Sequence, residues 1–254
     1  ATVLGQIFGT FVSLWLNIRK NHDIQFKLKN ILPCARIIKD IYKVAIPAIL
    51  MSSIMSFVTY FLNLILGNTP NGGDTAIAVY GVYFKLNSFI FMPVFGLCNG
   101  IIPILAYNYG AQHHKRITNT IRGALCIALL IMTCGMILFE VIPGPLFDLF
   151  SASPQMRRMG IAAIRIIAPS FLGAAFAITM SSVFQAFGSA VYSMLVSFCR
   201  QIIVFLPAAY FLSKTGNVDN VWWCFLIAEV MSVGMSLFFM HRIYIKKIKP
   251  IPIN

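Results

Sequence analysis

Residues 80–111 read YGVYFKLNSFIFMPVFGLCNGIIPILAYNYGA, and the fold turns on how this stretch is read. It is apolar enough to cross a bilayer as one helix, for which about 20 predominantly apolar residues suffice. Yet Lys85, Asn87, Asn99, Pro93, Pro103 and three glycines, Gly81, Gly96 and Gly100, interrupt it. A plain anchor has no use for such residues, because polar groups in hydrocarbon are costly unless they face protein or a water-filled cavity. The stretch reads as a helix lining an aqueous path.

The rest of the chain agrees. It is 59% hydrophobic and 11% charged, with a mean hydropathy of +0.82. Soluble domains carry about 25% charged residues, so this is an integral membrane protein. The net charge of +13 invites a nucleic-acid reading, and its distribution argues against it. The basic residues sit in short loops between apolar runs, where they set orientation, and no separate basic domain exists. Cys34, Cys98, Cys126, Cys134, Cys199 and Cys224 fall mostly within apolar runs and form no CxxC pair, so they read as small core fillers. Ala1 opens inside an apolar run without an initiator Met or a charged leader region, and the chain reads as part of a longer protein.

The apolar runs predict an all-α, polytopic bundle of transmembrane helices. A partial span covers about 1–18, and whole spans fall near 44–66, 76–107, 118–142, 157–187, 190–212 and 221–242. Residues 19–43 are predicted to form an amphipathic linker, because IQFKLKNILPCARIIKDIYK alternates apolar and basic groups. Residues 44–242 are then a six-helix lobe, and 243–254 a basic tail. Lysines and arginines crowd 19–43, 115–122 and 242–249, which the positive-inside rule puts in the cytoplasm together with the C-terminus. Pro47, Pro93, Pro103, Pro169 and Pro207 lie inside spans and are expected to kink them.

Several residues could carry chemistry. Lys85, Ser88, Met92, Phe95 and Asn99 recur at helical spacing and share one face, whose mix of cation, hydroxyl, sulfur, ring and amide suits a cavity for large amphipathic molecules. The alternative is that Lys85 snorkels outward while the others pack. Ser52, Ser56, Thr59 and Asn63, flanked by Ser53 and Tyr60, form a second stripe that either lines a cavity or glues helices together. Glu229, with Ser232 and Ser236, makes a polar face in the last span. A carboxylate at that depth must be paired or protonated, and Lys85 stands at a similar depth as one partner to test. Arg200 reads as a cap near the interface, and Arg165 also needs a partner. His113 and His114 are adjacent in a loop and do not share one metal easily. No nucleophile–base motif, nucleotide loop or metal motif occurs, which argues against an enzyme and against an ATP-driven pump.

Taken together, ATVLGQ, AIPAILMSS, FKLNSFIFMPVFGLCNGIIPILAYNYGA, FQAFG, SFCRQIIVFLPAAYFL and VWWCFLIAE stand in the order seen in the second half of multidrug and toxic-compound extrusion (MATE) transporters. The chain resembles that family over nearly its whole length. The resemblance implies a twelve-helix, two-lobe protein of the plasma (inner) membrane, of which this chain holds the second lobe while the first is missing. It implies export of small organic cations and drugs, driven by sodium or protons, with no other cofactor. Some relatives carry acidic coupling residues in helices seven and ten. Here helix seven offers only hydroxyls and an amide, and helix ten has no acid. The coupling ion is therefore expected mainly in the missing lobe, with Glu229 as the one deep acid in this one.

The leading reading is a cation-coupled antiporter that works by alternating access. Its expected binding face is Ser56, Tyr60, Lys85, Ser88, Met92, Phe95 and Asn99, with Glu229 and Lys85 as the ion-coupling or buried charges. A lipid-linked oligosaccharide flippase of the same superfamily, or a non-transporting membrane scaffold, are the alternatives. The flippase needs clustered cations in its cleft, and the scaffold has no need of the polar stripe.

Overall fold

A computed structural model describes residues 2–20 and 35–252, and every regular element among them is helical. Most of the expected linker, including 21–34, lies outside the described residues, as do the side chains of Pro47 and Ser52. The chain divides into two units, Ala1–Ile49 and Leu50–Asn254.

The first unit contains α1 (Thr2–Lys20) and the opening of α2 (Ala35–Asn68). Within α1 the Thr10 hydroxyl donates to the Gln6 carbonyl at 2.8 Å. One turn separates Trp15 from Arg19, whose guanidinium lies 5.3 Å from the indole centroid.

The second unit is a helical bundle. The remainder of α2 buries Ile54, Val58, Leu62 and Leu66, a stripe at four-residue spacing, and leaves Ser53, Ser56 and Tyr60 exposed. Next comes α3 (Gly73–Gly110), 38 residues long and helical straight through Pro93 and Pro103. At 1.5 Å per residue it measures about 57 Å, against a hydrocarbon core of about 30 Å, so it tilts or runs past the bilayer. It is followed by α4 (His114–Val141) and the short α5 (Pro143–Asp148).

The run expected as one span over 157–187 is two helices, α6 (Pro154–Ile167) and α7 (Ser170–Ala186), bent by 53° at Ala168–Pro169. Pro169 lacks the N–H for a bond one turn back and its ring clashes there, as the sequence implies. The start of α6 is fixed by Ser153, whose hydroxyl accepts from the Met156 N–H at 3.3 Å, with Pro154 in the first turn.

The following span is composite. It runs from α8 (Ala190–Phe198) through a π-helical turn, Cys199–Phe205, into α9 (Leu206–Ser213). Pro207 does not break this span. It lies in the first turn of α9, directly after the wider π turn, where its missing donor disturbs least. The last span comprises α10 (Val218–Val221), α11 (Trp223–Ile243) and a terminal π turn, Tyr244–Ile248.

Among the described residues, four segments are long and apolar enough to cross a membrane: 73–110, 114–141, 190–213 and 218–248. The bent α6–α7 pair makes a fifth, and 53–68 of α2 is a shorter apolar helix.

Two core clusters occupy opposite ends of the bundle. One gathers Leu66, Ala76, Phe139, Phe147, Phe171, Val218 and Trp222 near α5 and the loops at 69–72, 149–153 and 214–217. The other gathers Leu105, Ile117, Phe184, Phe187, Phe239, Ile248 and Ile251 near the loops at 111–113 and 187–189. Aromatic edges knit the helices: Phe171 meets Phe91 at 5.3 Å and Phe139 at 5.2 Å, and Tyr192 stacks on Phe239 at 4.5 Å. At the second end the Lys247 ammonium donates to the Phe187 carbonyl and, at 3.1 Å, to the Ser189 hydroxyl. It thereby closes the terminal π turn onto the α7–α8 connection, where Gly188 takes φ +66°. This is a conformation that side-chain-bearing residues rarely adopt.

Candidate functional site: an exposed polar face and a buried ion pair

The side chains expected to line a cavity do not converge inside the bundle. They lie on its outside. Met92 is 71% exposed and Tyr60 63%, and Phe95, Lys85, Asn99 and Ser56 are exposed as well. Ser88 is half-buried, with its hydroxyl donating to the Phe84 carbonyl at 2.8 Å. The opposite side of α3, with Val79, Tyr80, Tyr83, Leu86, Val94 and Cys98, packs into the core. α3 is thus two-faced: one side carries the bundle, and the other presents aromatic, sulfur, amide and ammonium groups outward. The Lys85 ammonium lies 5.7 Å from the centroid of Phe150, in the connection after α5, a cation–π distance. Arg165 is exposed on α6. Asp148 pairs with Arg157 at 2.9 Å on the surface. His113 is exposed at the start of α4, and His114 is half-buried beside it.

Glu229 is 5% exposed, and its partner is Arg200, not Lys85. The Arg200 Nη1 lies 3.1 Å from Oε1 and 3.1 Å from Oε2. Rotation about α3 explains the correction. Tyr83 and Leu86 point into the core. Lys85, two residues beyond Tyr83, is turned by about 200° to the outer face. Arg200 is likewise no interfacial cap. It stands in the π turn between α8 and α9, with its side chain 31% exposed against 6% for that of Glu229. Single π turns inside α-helices are frequent at functional sites.

The surroundings are built for the pair. α7 approaches α11 through Gly173, where an added Cβ would lie 2.9 Å from Glu229 Cγ and 3.3 Å from Val233 Cγ2. One turn away, Phe225 packs edge-on against Phe205 at 4.8 Å and Tyr83 at 5.4 Å. Ser232 and Ser236 continue the Glu229 stripe and are buried, as their spacing implies. Their hydroxyls, and the Gln201 Oε1, have no hydrogen-bond partner among the described residues. A desolvated charge needs its counter-charge close by, and here one guanidinium nitrogen is shared between both carboxylate oxygens, not the two-nitrogen fork of the strongest pairs.

Fold and site together define a multi-pass membrane protein whose bundle keeps one charge pair inside and turns a polar-aromatic face outward. The MatE family model matches residues 47–211. The chain belongs to this family, whose members are transporters and not enzymes. It is 26% identical over 237 residues to the multidrug export protein MepA of Staphylococcus haemolyticus (strain JCSC1435), covering 93% of this chain and 51% of MepA. Among solved structures, an inward-facing multidrug resistance MATE family transporter of the MOP superfamily superposes with a TM-score of 0.82 at 21% identity, covering 93% of this chain and 55% of that one. An outward-facing MATE transporter superposes at 0.77 and 22% identity, covering 94% and 54%. These structures share the fold. The chain spans about half the length of the curated relatives it matches.

Proposed function

We propose that this chain supplies one half of a two-lobe secondary antiporter of the plasma (inner) membrane, with its C-terminus in the cytoplasm. The antiporter exports amphipathic and cationic drugs in exchange for sodium or protons. The outer face of α3 carries this reading: Lys85, Met92, Phe95 and Asn99 turn away from the core. A protein spending an asparagine in the middle of a span, and a lysine a few turns in from its end, has a use for them outside the bundle. Facing a second half, this side lines a cleft in which substrate meets rings and sulfur, and rocking of one half against the other exposes the cleft to each side in turn. Ser56 and Tyr60, exposed on α2, belong to the same binding face on this reading. The coupling ion binds mainly in the other half.

The test is efflux of an ethidium-like dye from cells expressing the natural full-length protein, with sodium and proton gradients collapsed in turn. Gradient-dependent efflux that Lys85→Ala weakens supports the reading. No efflux from well-expressed wild type overturns it in favour of a lipid-linked oligosaccharide flippase or a scaffold.

A further inference from the structure

A buried carboxylate in a membrane protein is either paired or marks an ion or proton path, and hard cations take oxygen ligands. Glu229 is such a carboxylate, yet both its oxygens are engaged by Arg200 Nη1 at equal distances of 3.1 Å. That nitrogen stands where a monovalent ion would bridge the two oxygens.

We propose that Arg200 is a tethered counter-ion that holds the cation position at Glu229 and makes this half of the transporter blind to sodium. Charge is the first ground. The pair is neutral, so a sodium ion joining it would add an uncompensated positive charge in a low-dielectric interior. Among the described residues no second acid offsets that charge, since Asp148 is committed to Arg157 at the surface, and Asp74, Glu140 and Asp219 fall at the ends of their spans. The second ground is that unpartnered oxygens stand on the same two elements as the pair. Ser232 Oγ lies one turn from Glu229, and Gln201 Oε1 belongs to the residue after Arg200; both are buried and partnerless among the described residues. The arginine is thus what fills the cation position at Glu229, and Arg200 is the residue that makes this half indifferent to sodium.

The proposal is tested on the purified full-length protein by thermal unfolding in sodium chloride against N-methyl-D-glucamine chloride at equal ionic strength. Wild type and the neutral double variant R200Q/E229Q should respond to sodium identically. R200Q alone should gain a sodium-dependent rise in Tm of about 2 °C or more, as expected for a ligand well above its Kd, and the rise should vanish in R200Q/E229Q. A folded R200Q without that rise overturns the proposal. So does a sodium response of wild type that the double variant loses. If R200Q is too unstable to purify, the comparison of wild type with the double variant decides alone. Sodium binding at Glu229 is read from Tm and export from dye efflux, so either reading can fail without the other.

Discussion

A carboxylate inside a membrane bundle costs least when its counter-charge is fixed beside it. Breaking the Arg200–Glu229 pair from one side strands a charge, whereas replacing both members with apolar residues of similar volume does not. Arg200→Met should therefore destabilise by about 3 kcal/mol, and R200M/E229L by less than about 1 kcal/mol, as a double-mutant cycle with Glu229→Leu on unfolding in detergent will show. A double loss equal to the sum of the single losses would mean that the pair contributes nothing as a pair. The neighbouring hydroxyls behave oppositely. Ser232 and Ser236 bury oxygens that bond to nothing described, so Ser232→Ala and Ser236→Ala should leave Tm unchanged or raise it. The cost of Glu229 was legible in the sequence, because an acid deep in an apolar run demands a partner. The partner was not, since Lys85, Arg165 and Arg200 were all available and depth alone did not choose. A usable signal did exist: Arg200 and Glu229 lie in consecutive spans, each about a dozen residues from the short connection that joins them, which sets them at matching depth in antiparallel helices.

At the scale of the element, long apolar periodicity announced most of the helices, and Pro169 announced the bend between α6 and α7. The π turn at Cys199–Phe205 had no such herald, because nothing in CRQIIVF distinguishes it from ordinary helix; an extra residue per turn is a matter of packing, not composition. Packing also explains Gly160, where an added Cβ would run into the Phe147 ring and α5 lies close against α6. Gly160→Leu should cost about 1–3 kcal/mol through overpacking, measured as a fall in Tm without loss of membrane insertion. Pro169→Ala restores a backbone donor to the break. Spin labels on α6 and α7 should then report a straighter pair, and an unchanged interhelical distance would assign the 53° bend to packing instead of proline.

At the scale of the whole molecule, the two-faced character of α3 followed from its sequence, but the direction of the polar face did not. Alternating polar and apolar positions look the same whether the polar side faces a cavity within one bundle or a cleft between two. Thiol labelling distinguishes substrate-facing from lipid-facing positions in the full-length protein. On the export reading, drug should slow labelling of Met92→Cys and leave Leu130→Cys on α4, 65% exposed, unaffected. Equal protection at both sites would remove the case for a cleft along α3.

The Lys247 contact to Phe187 and Ser189 has a mechanical consequence. It pins one end of α7, while the other end meets the proline break to α6. α7 is thus tied at one end by a charged side chain and interrupted at the other by a proline, and it is the interrupted end that lies beside Gly173 and the charge pair.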